Sequence, residues 1–332
     1  MDLHRETSLN IVRVTEVAAL RASRLLGMGD KNTADKAAVD GMRGMLDFLN
    51  IRGKVIIGEG EKDKAPMLYI GEHVGNWDNE LCPEVDIAVD PIDGTRLVAY
   101  GQPNALAIMA IGDRDCLKYL PTYYVKKLAY GPQLNGYLHI DFPVRENLLI
   151  TAARLDKDIR DLTVSVLDRP RHKDLIKEIS ACGSRIKLIP DGDVAASIAT
   201  CMYDDRSDLY MGVGGAPEAV LTAAALRCLG GNIQVKLAPL DDAEKQKAIE
   251  AGYELDKIYF AEDLAMGEDI VFACTGITDG ELLPGVTFRG GKAITRSLVT
   301  RLRTRTVRRI ETEHDLKAKT IPSKEFNKEQ MV

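Results

Sequence analysis

The residues of this chain best suited to chemistry are acids set at short spacings beside glycines. Asp90-Pro91-Ile92-Asp93-Gly94-Thr95 joins two carboxylates and a hydroxyl directly behind the alternating run Val85-Asp86-Ile87-Ala88-Val89. That run reads as a buried strand. A strand entering Asp-Pro is expected to stop there, because proline has no backbone donor and restricts its predecessor. The Asp-Gly step calls for a tight turn with a positive φ near Gly94. Oxygen ligands held at a strand end suit hard cations such as Mg²⁺ or Mn²⁺. The motif alone also fits a β-turn whose aspartates cap backbone amides. Glu59, in Gly58-Glu59-Gly60-Glu61-Lys62-Asp63, stands immediately after a short apolar strand, between glycines that let the backbone turn closely. Glu61 and Asp63 also fit a solvated acidic loop. Asp35 falls in the first turn of a predicted helix, where an acid also complements the macrodipole.

Together Asp35, Glu59, Asp90, Asp93 and Glu218 offer oxygen ligands with no histidine among them, which favours Mg²⁺ or Mn²⁺ over zinc. So many carboxylates repel one another unless cations lie between them. Two or more divalent ions could clamp a phosphate, activate a water and stabilise the leaving oxygen. Arg169, Arg171 and the amides of Gly214 and Gly215 could hold a second anionic group. No P-loop sequence is present. The residues therefore point to metal-assisted hydrolysis of a phosphate ester.

Positioning these groups requires strands that end beside them. Residues 8–26 read as an amphipathic helix ended by Gly27 and Gly29, and a second helix follows with Val39, Met42, Leu46 and Leu49 inward. A strand over 104–111 is expected beside the one carrying Asp90, and 136–144 alternates as an antiparallel strand would. From about residue 150, strands over 161–167, 185–190 and 208–213 alternate with helices, predicting a parallel, doubly covered sheet. Ligands bind outside the carboxyl ends of such strands, and the polar clusters all fall at those ends. Residues 295–310 carry many arginines but read as a solvated strand pair with one apolar face. The expected domains are a metal-binding α+β domain over 1–150 and an α/β substrate-binding domain over 151–332. Residues 279–320 are left open to pack on either.

Composition bounds the partners. The 332 residues are 45% hydrophobic and 28% charged, with a net charge of −6 that argues against nucleic acid as the main partner. No apolar run approaches a membrane span, and nothing near the N-terminus resembles a signal peptide. Six scattered cysteines without a Cys-x-x-Cys pair suit a reducing cytoplasm.

Asp90 to Thr95 resembles the metal-binding signature of the lithium-sensitive phosphatase superfamily, which includes inositol monophosphatases. Five further stretches are similar to class II fructose 1,6-bisphosphatase: Gly29-Asp30-Lys31-Asn32-Thr33-Ala34-Asp35, Ile57-Gly58-Glu59-Gly60-Glu61, Ala65-Pro66-Met67-Leu68-Tyr69-Ile70-Gly71, Pro190-Asp191-Gly192-Asp193-Val194-Ala195-Ala196-Ser197 and Gly214-Gly215-Ala216-Pro217-Glu218. The resemblance implies an α-β-α-β-α layered sandwich and hydrolysis of fructose 1,6-bisphosphate to fructose 6-phosphate in gluconeogenesis, dependent on Mn²⁺ or Mg²⁺. It implies metal ligation by Asp35, Glu59, Asp90, Asp93 and Glu218. Substrate contacts would fall on Asp93, Gly94, Thr95, Tyr124, Arg169, Pro170, Arg171, Asp191, Gly192, Asp193 and Gly215. A threonine like Thr95, helped by an acid like Asp35, would orient the attacking water, with Lys31 and Asp63 as further catalytic candidates. Family members carry Asp or Glu at the position of Asp93, so its share between metal and substrate stays open. Competing readings are a dual fructose/sedoheptulose bisphosphatase, an inositol-phosphate-type monophosphatase and a catalytically silent sugar-phosphate sensor. The expected setting is a cytoplasmic homo-oligomer, dimer or tetramer, acting on a sugar bisphosphate without nucleic acid or membrane.

Overall fold

The structure, a computed structural model, describes residues 4–60, 65–202 and 207–319. The chain opens with α1 (His4–Ser23), α2 (Lys31–Leu46), β1 (Arg52–Ile57), β2 (His73–Gly75), β3 (Glu84–Asp93), α3 (Thr95–Ala99) and β4 (Leu106–Asp113). It continues through β5 (Tyr124–Tyr130), α4 (Val144–Leu155), β6 (Thr163–Leu167), α5 (Lys173–Ala181), β7 (Arg185–Ile189) and α6 (Val194–Ala199). Then come β8 (Leu209–Gly215), α7 (Ala216–Leu229), β9 (Asn232–Leu237), α8 (Asp242–Glu250), β10 (Tyr259–Phe260) and α9 (Ala261–Leu264). The last elements are β11 (Ile270–Gly276), β12 (Thr287–Arg289), β13 (Lys292–Arg301) and β14 (Thr306–Asp315).

Two compact units result, one of residues 1–117 and 267 onward, the other of residues 118–266. The division expected near residue 150 thus falls at 117/118, and the chain returns to the first unit after 266. Strand pairing explains both differences. β5 joins β8 and β9, while β11 pairs with β4 along its whole length and carries the following strands with it.

In the first unit the sheet order is β12-β13-β11-β4-β3-β1-β2, with β14 on the free side of β13. The β1–β3 pair is parallel and the other neighbours are antiparallel. α1 and α2 pack together and against the sheet, burying Ile11, Val14, Ala18, Leu20 and Met42 completely. β4 and β11 are buried nearly throughout, as their apolar sequences require. β3 does not stop at Asp-Pro. It runs on to Asp93, with the register against β4 shifting between Asp90 and Asp93. Pro91 falls inside that irregularity, where the missing N–H breaks no ladder bond. β13 and β14 form the solvated pair expected around 295–310, β14 being largely exposed.

In the second unit the sheet order is β10-β9-β5-β8-β6-β7. β6 runs parallel to β7 and β8, but β5 lies antiparallel between β8 and β9. The sheet is therefore mixed, because a strand from before residue 150 is inserted into it. Residues 136–144 run through turns and irregular backbone to the first residue of α4 rather than forming a strand. Their alternation is real burial, with Leu138 and Ile140 inside, but the buried Gln234 side chain replaces a partner strand. Gln234 accepts from the Ile140 N–H at 2.7 Å and donates to the Leu138 carbonyl at 2.7 Å. The fold is α/β, with two mixed sheets covered by helices. Among the described residues no helix is long and apolar enough to cross a membrane.

Candidate active site

The first unit gathers its candidate residues at one end of its sheet. β1 and β3 are parallel, so Glu59 beyond β1 and Asp90 and Asp93 at the close of β3 share an edge. Asp90 Oδ1 accepts the Ile92 N–H at 3.0 Å, tying the turn upon itself. Gly94 then takes the left-handed conformation expected of it (φ 91°) and opens α3, placing Thr95 at the first helical position. Thr95 is half-buried, and its hydroxyl donates a long 3.3 Å bond to the Ile92 carbonyl. The α1–α2 connection is tied to α3 by Gly27 N–H to Val98 O at 2.9 Å and Gly29 N–H to Ala99 O at 2.8 Å. These bonds hold the start of α2, with Lys31 exposed in its first turn, against the helix that Thr95 begins. Asp30, not Asp35, caps α2, accepting the N–H groups of Asn32 and Thr33. Asp35 lies one turn further in and half-buried, and burial raises its pKa above the ordinary carboxyl value.

Glu59 is held by a second chain of contacts that the motif alone does not reveal. Its N–H donates to the Leu68 carbonyl at 2.9 Å, and Leu68 adopts a left-handed φ of 54°. The Leu68 N–H is caught by the Glu72 carboxylate, which also takes the Arg43 Nε–H at 2.6 Å. Arg43 belongs to α2, so the helix carrying Asp35 and the loop carrying Glu59 share one ion pair. Glu61 and Asp63 lie outside the described residues.

The second unit assembles its own set at one edge. The parallel β6, β7 and β8 end at residues 167, 189 and 215, so Arg169 to Arg171, Asp191 to Asp193 and Gly214 to Glu218 leave the sheet on the same side. Tyr124 joins them because antiparallel pairing sets it opposite Gly215. Arg169 is bound to Asp191 at 2.7 Å and to the Pro190 carbonyl. Arg171 gives Nε–H and Nη2–H to the Val213 carbonyl, at 3.0 and 2.8 Å, and covers the Tyr124 ring at 4.7 Å. Pro170 opens the short 3₁₀ turn between the arginines. Gly192 has φ 66°, in the left-handed region. Asp193 is 3% exposed, with both oxygens on Lys127 Nζ, at 2.9 and 2.7 Å, and Oδ2 also accepting from the Tyr210 hydroxyl at 2.8 Å. Its carboxylate holds the 191–193 turn from inside. A side chain on Gly214 would place Cβ 2.1 Å from Asp193 Oδ2, so glycine is needed there.

Lys127, Tyr210 and His172 carry this edge, and the sequence reading had not singled them out. Lys127 had a signal: in β5 it lies two residues from both Val125 and Ala129, which puts it on the same face as two buried apolar side chains. His172 is buried with both ring nitrogens engaged. Val213 N–H donates to Nε2 at 2.7 Å, which puts the proton on Nδ1, 2.7 Å from the Leu167 carbonyl. Burial lowers its pKa, keeping it neutral as that pattern requires.

Glu218 stands in the first turn of α7, behind Pro217. The residue is half-buried, but Oε2 has no solvent access and, among the described residues, no hydrogen-bond partner. Burial raises the Glu218 pKa, opposed by the Lys127 charge. Gly215 leaves room for this carboxylate, since a Cβ there would lie 1.9 Å from Oε2. An orphaned, desolvated acid oxygen is a fitting ligand for a hard cation. Among the described residues no three acid, imidazole or thiol side chains converge as a ready-made metal cluster. Four of the expected ligands lie in the first unit and Glu218 in the second.

Similarity to known proteins is extensive. The family described as bacterial fructose-1,6-bisphosphatase, glpX-encoded, matches residues 5–314. Fructose-1,6-bisphosphatase 1 class 2 of Escherichia coli strain K12 is 45% identical over 330 residues, covering 96% of this chain and 97% of that protein. The class 2 enzyme of Shigella flexneri matches to the same extent. A solved structure, an extragenic suppressor from Pyrococcus furiosus, overlaps 59% of this chain and 68% of its own at TM-score 0.30 and 17% identity, too weak to bear on the fold. With the match running nearly end to end, this chain belongs to the glpX-encoded family of bacterial fructose-1,6-bisphosphatases.

Proposed function

We infer that this protein hydrolyses fructose 1,6-bisphosphate to fructose 6-phosphate and phosphate, a step of gluconeogenesis. The observation that carries this is the family match across residues 5–314, joined by 45% identity over 96% of the chain. The enzyme is a phosphoric monoester hydrolase, and its family implies a divalent metal cofactor. We propose Mn²⁺ or Mg²⁺, on the strength of an all-oxygen donor set. Asp35, Glu59, Asp90 and Asp93 are the metal ligands proposed in the first unit, and Glu218 is the one proposed in the second. Bound there, the cation would neutralise the acids and draw charge from the phosphate.

The chain's own residues divide the remaining work. Thr95, fixed at the start of α3, orients the attacking water through its hydroxyl. Asp35, whose pKa burial raises above the ordinary carboxyl value, assists. Gly94 and Asp93 bring the backbone close to the reacting phosphate. Arg169, Arg171 and the Gly215 amide hold the distal phosphate, with Tyr124 beneath the Arg171 guanidinium. Asp191 steers Arg169 through their ion pair, and Pro170 and Gly192 shape the two turns. Lys31, exposed at the start of α2, and Asp63 complete the catalytic proposal. A cytoplasmic location is proposed from the free cysteines. The test is phosphate release from a panel of sugar phosphates with and without Mn²⁺ or Mg²⁺. Fructose 1,6-bisphosphate is expected to be turned over best and only with metal. No release from it under any divalent ion would overturn the reading.

A further inference from the structure

The second unit's sheet carries a cavity of about 260 Å³ that shares Arg171 with the proposed phosphate edge but whose apolar walls none of these roles uses. Its walls are apolar: Leu128 and Met211 from the sheet, Ile140, Phe142 and Val144 from the segment leading into α4, and Leu175 from α5. Phe142 is 38% exposed and packs against the His139 ring, with centroids 5.1 Å apart. Two polar lining residues are already committed. Asn147 exchanges hydrogen bonds with the backbone of His139, at 3.2 and 2.9 Å, and His172 spends both ring nitrogens on backbone groups.

The cations are different. Lys126 Nζ donates to the Ile140 carbonyl at 2.9 Å, and Arg171 donates to the Val213 carbonyl. Among the described residues neither side chain forms an ion pair with a carboxylate. A third lining cation, Lys127, is paired with Asp193, and against the other two the lining holds one acid, the exposed Glu178. Apolar walls with an excess of positive charge complement an anion that has an apolar body. A cavity somewhat below the roughly 300–1,000 Å³ of drug-sized pockets suits a single ring or short chain rather than a nucleotide.

We propose that this cavity is a second ligand site, taking a small organic anion whose acidic group meets Lys126 and Arg171 while its body lies on Leu128, Leu175 and Met211. Arg171 also stands on the edge assigned to the distal phosphate, so an occupant would alter the affinity for substrate through the same guanidinium. That coupling rests on the function proposed above; binding in the cavity does not.

The experiment is calorimetric titration of the full chain, without substrate, with benzylphosphonate, which a phosphatase cannot hydrolyse. Inorganic phosphate is titrated in parallel as an anion with no apolar body. The variants are Lys126→Met, which removes the charge and keeps the stem, and Leu175→Trp, which fills the cavity. Melting curves check that each folds, and if Leu175→Trp does not, Lys126→Met decides alone. Saturable binding of benzylphosphonate to the wild type is expected, weakened about tenfold or more in the variants, with phosphate binding altered less than about twofold. Absent binding, undiminished binding in Lys126→Met, or equal weakening of both anions would each overturn the proposal.

Discussion

Replacing Lys127 by methionine removes one half of a charge pair that lies wholly inside the second unit. The Lys127 side chain is 0% exposed and that of Asp193 3%. Two bonds of 2.9 and 2.7 Å join them, and Tyr210 supplies a third, at 2.8 Å, to the same carboxylate. At such separations and an effective dielectric near 20, the attraction is on the order of 6 kcal/mol. Part of that is offset because methionine no longer carries the desolvation cost of the ammonium. What remains is a buried carboxylate with one neutral donor, and such losses run to about 3–5 kcal/mol. Burial and the Asp193 charge already raise the Tyr210 pKa well above its ordinary value, so Tyr210 stays protonated but supplies no compensating charge. Urea unfolding followed by circular dichroism is expected to show that loss in the transition of this unit, with the slope unchanged. The double variant Lys127→Met/Asp193→Leu should recover at least half of it, since no unpaired charge is left behind. A loss below about 1 kcal/mol, or simple additivity in the double variant, would refute the reasoning.

Asp90→Asn is expected to abolish phosphate release while leaving the circular dichroism spectrum and melting temperature near wild type; retained turnover would remove Asp90 from the metal ligands. Gly215→Ala sets a methyl 1.9 Å from Glu218 Oε2 and displaces a flexible carboxylate rather than backbone. Stability should change by less than about 1 kcal/mol, while the Mn²⁺ concentration for half-maximal activity rises several-fold. Arg171→Ala should raise KM far more than it lowers kcat, and an unaltered KM would reject its anchoring role. His314, buried, has its pKa pushed down to about 4 from 6.5, and it accepts from Lys319 through Nδ1 at 2.6 Å. Between those values the unfolded chain binds the extra proton. Its stabilising contribution is therefore complete above about pH 6.5 and lost as pH falls toward 4. His314→Gln should flatten the decline of the urea midpoint across that window.

Local rules were legible wherever one residue type satisfies one backbone demand. Gly94 is left-handed because the Asp-Gly step must turn, and Gly230 closes α7 with φ 85°. The acids and arginines fall at strand ends because side chains there escape the ladder yet stay fixed by it. The rules misled where a neighbouring segment changed the local balance. Asp90-Pro91 was expected to end β3, but the register shift against β4 lets it continue. Residues 136–144 alternate like a strand, yet Gln234 satisfies their backbone from a side chain. The motif around Asp193 names a substrate contact but does not name Lys127 and Tyr210, which hold its carboxylate from distant strands.

Residue types alone supply the inventory on which the proposed chemistry rests: acid oxygens without histidine, a threonine behind a glycine turn, and arginines suited to an anion. These follow from residue types at short spacings, and short spacings survive whatever the rest of the chain does. The tertiary structure decided which of those groups stand together. β5 entered the second sheet and put Tyr124 opposite Gly215. β11 carried the end of the chain back to the first unit, and Lys127 was sent inward to hold Asp193. Each outcome depends on pairing between residues far apart in the chain. No local pattern encodes it, because the energy that selects it is burial summed over a whole sheet.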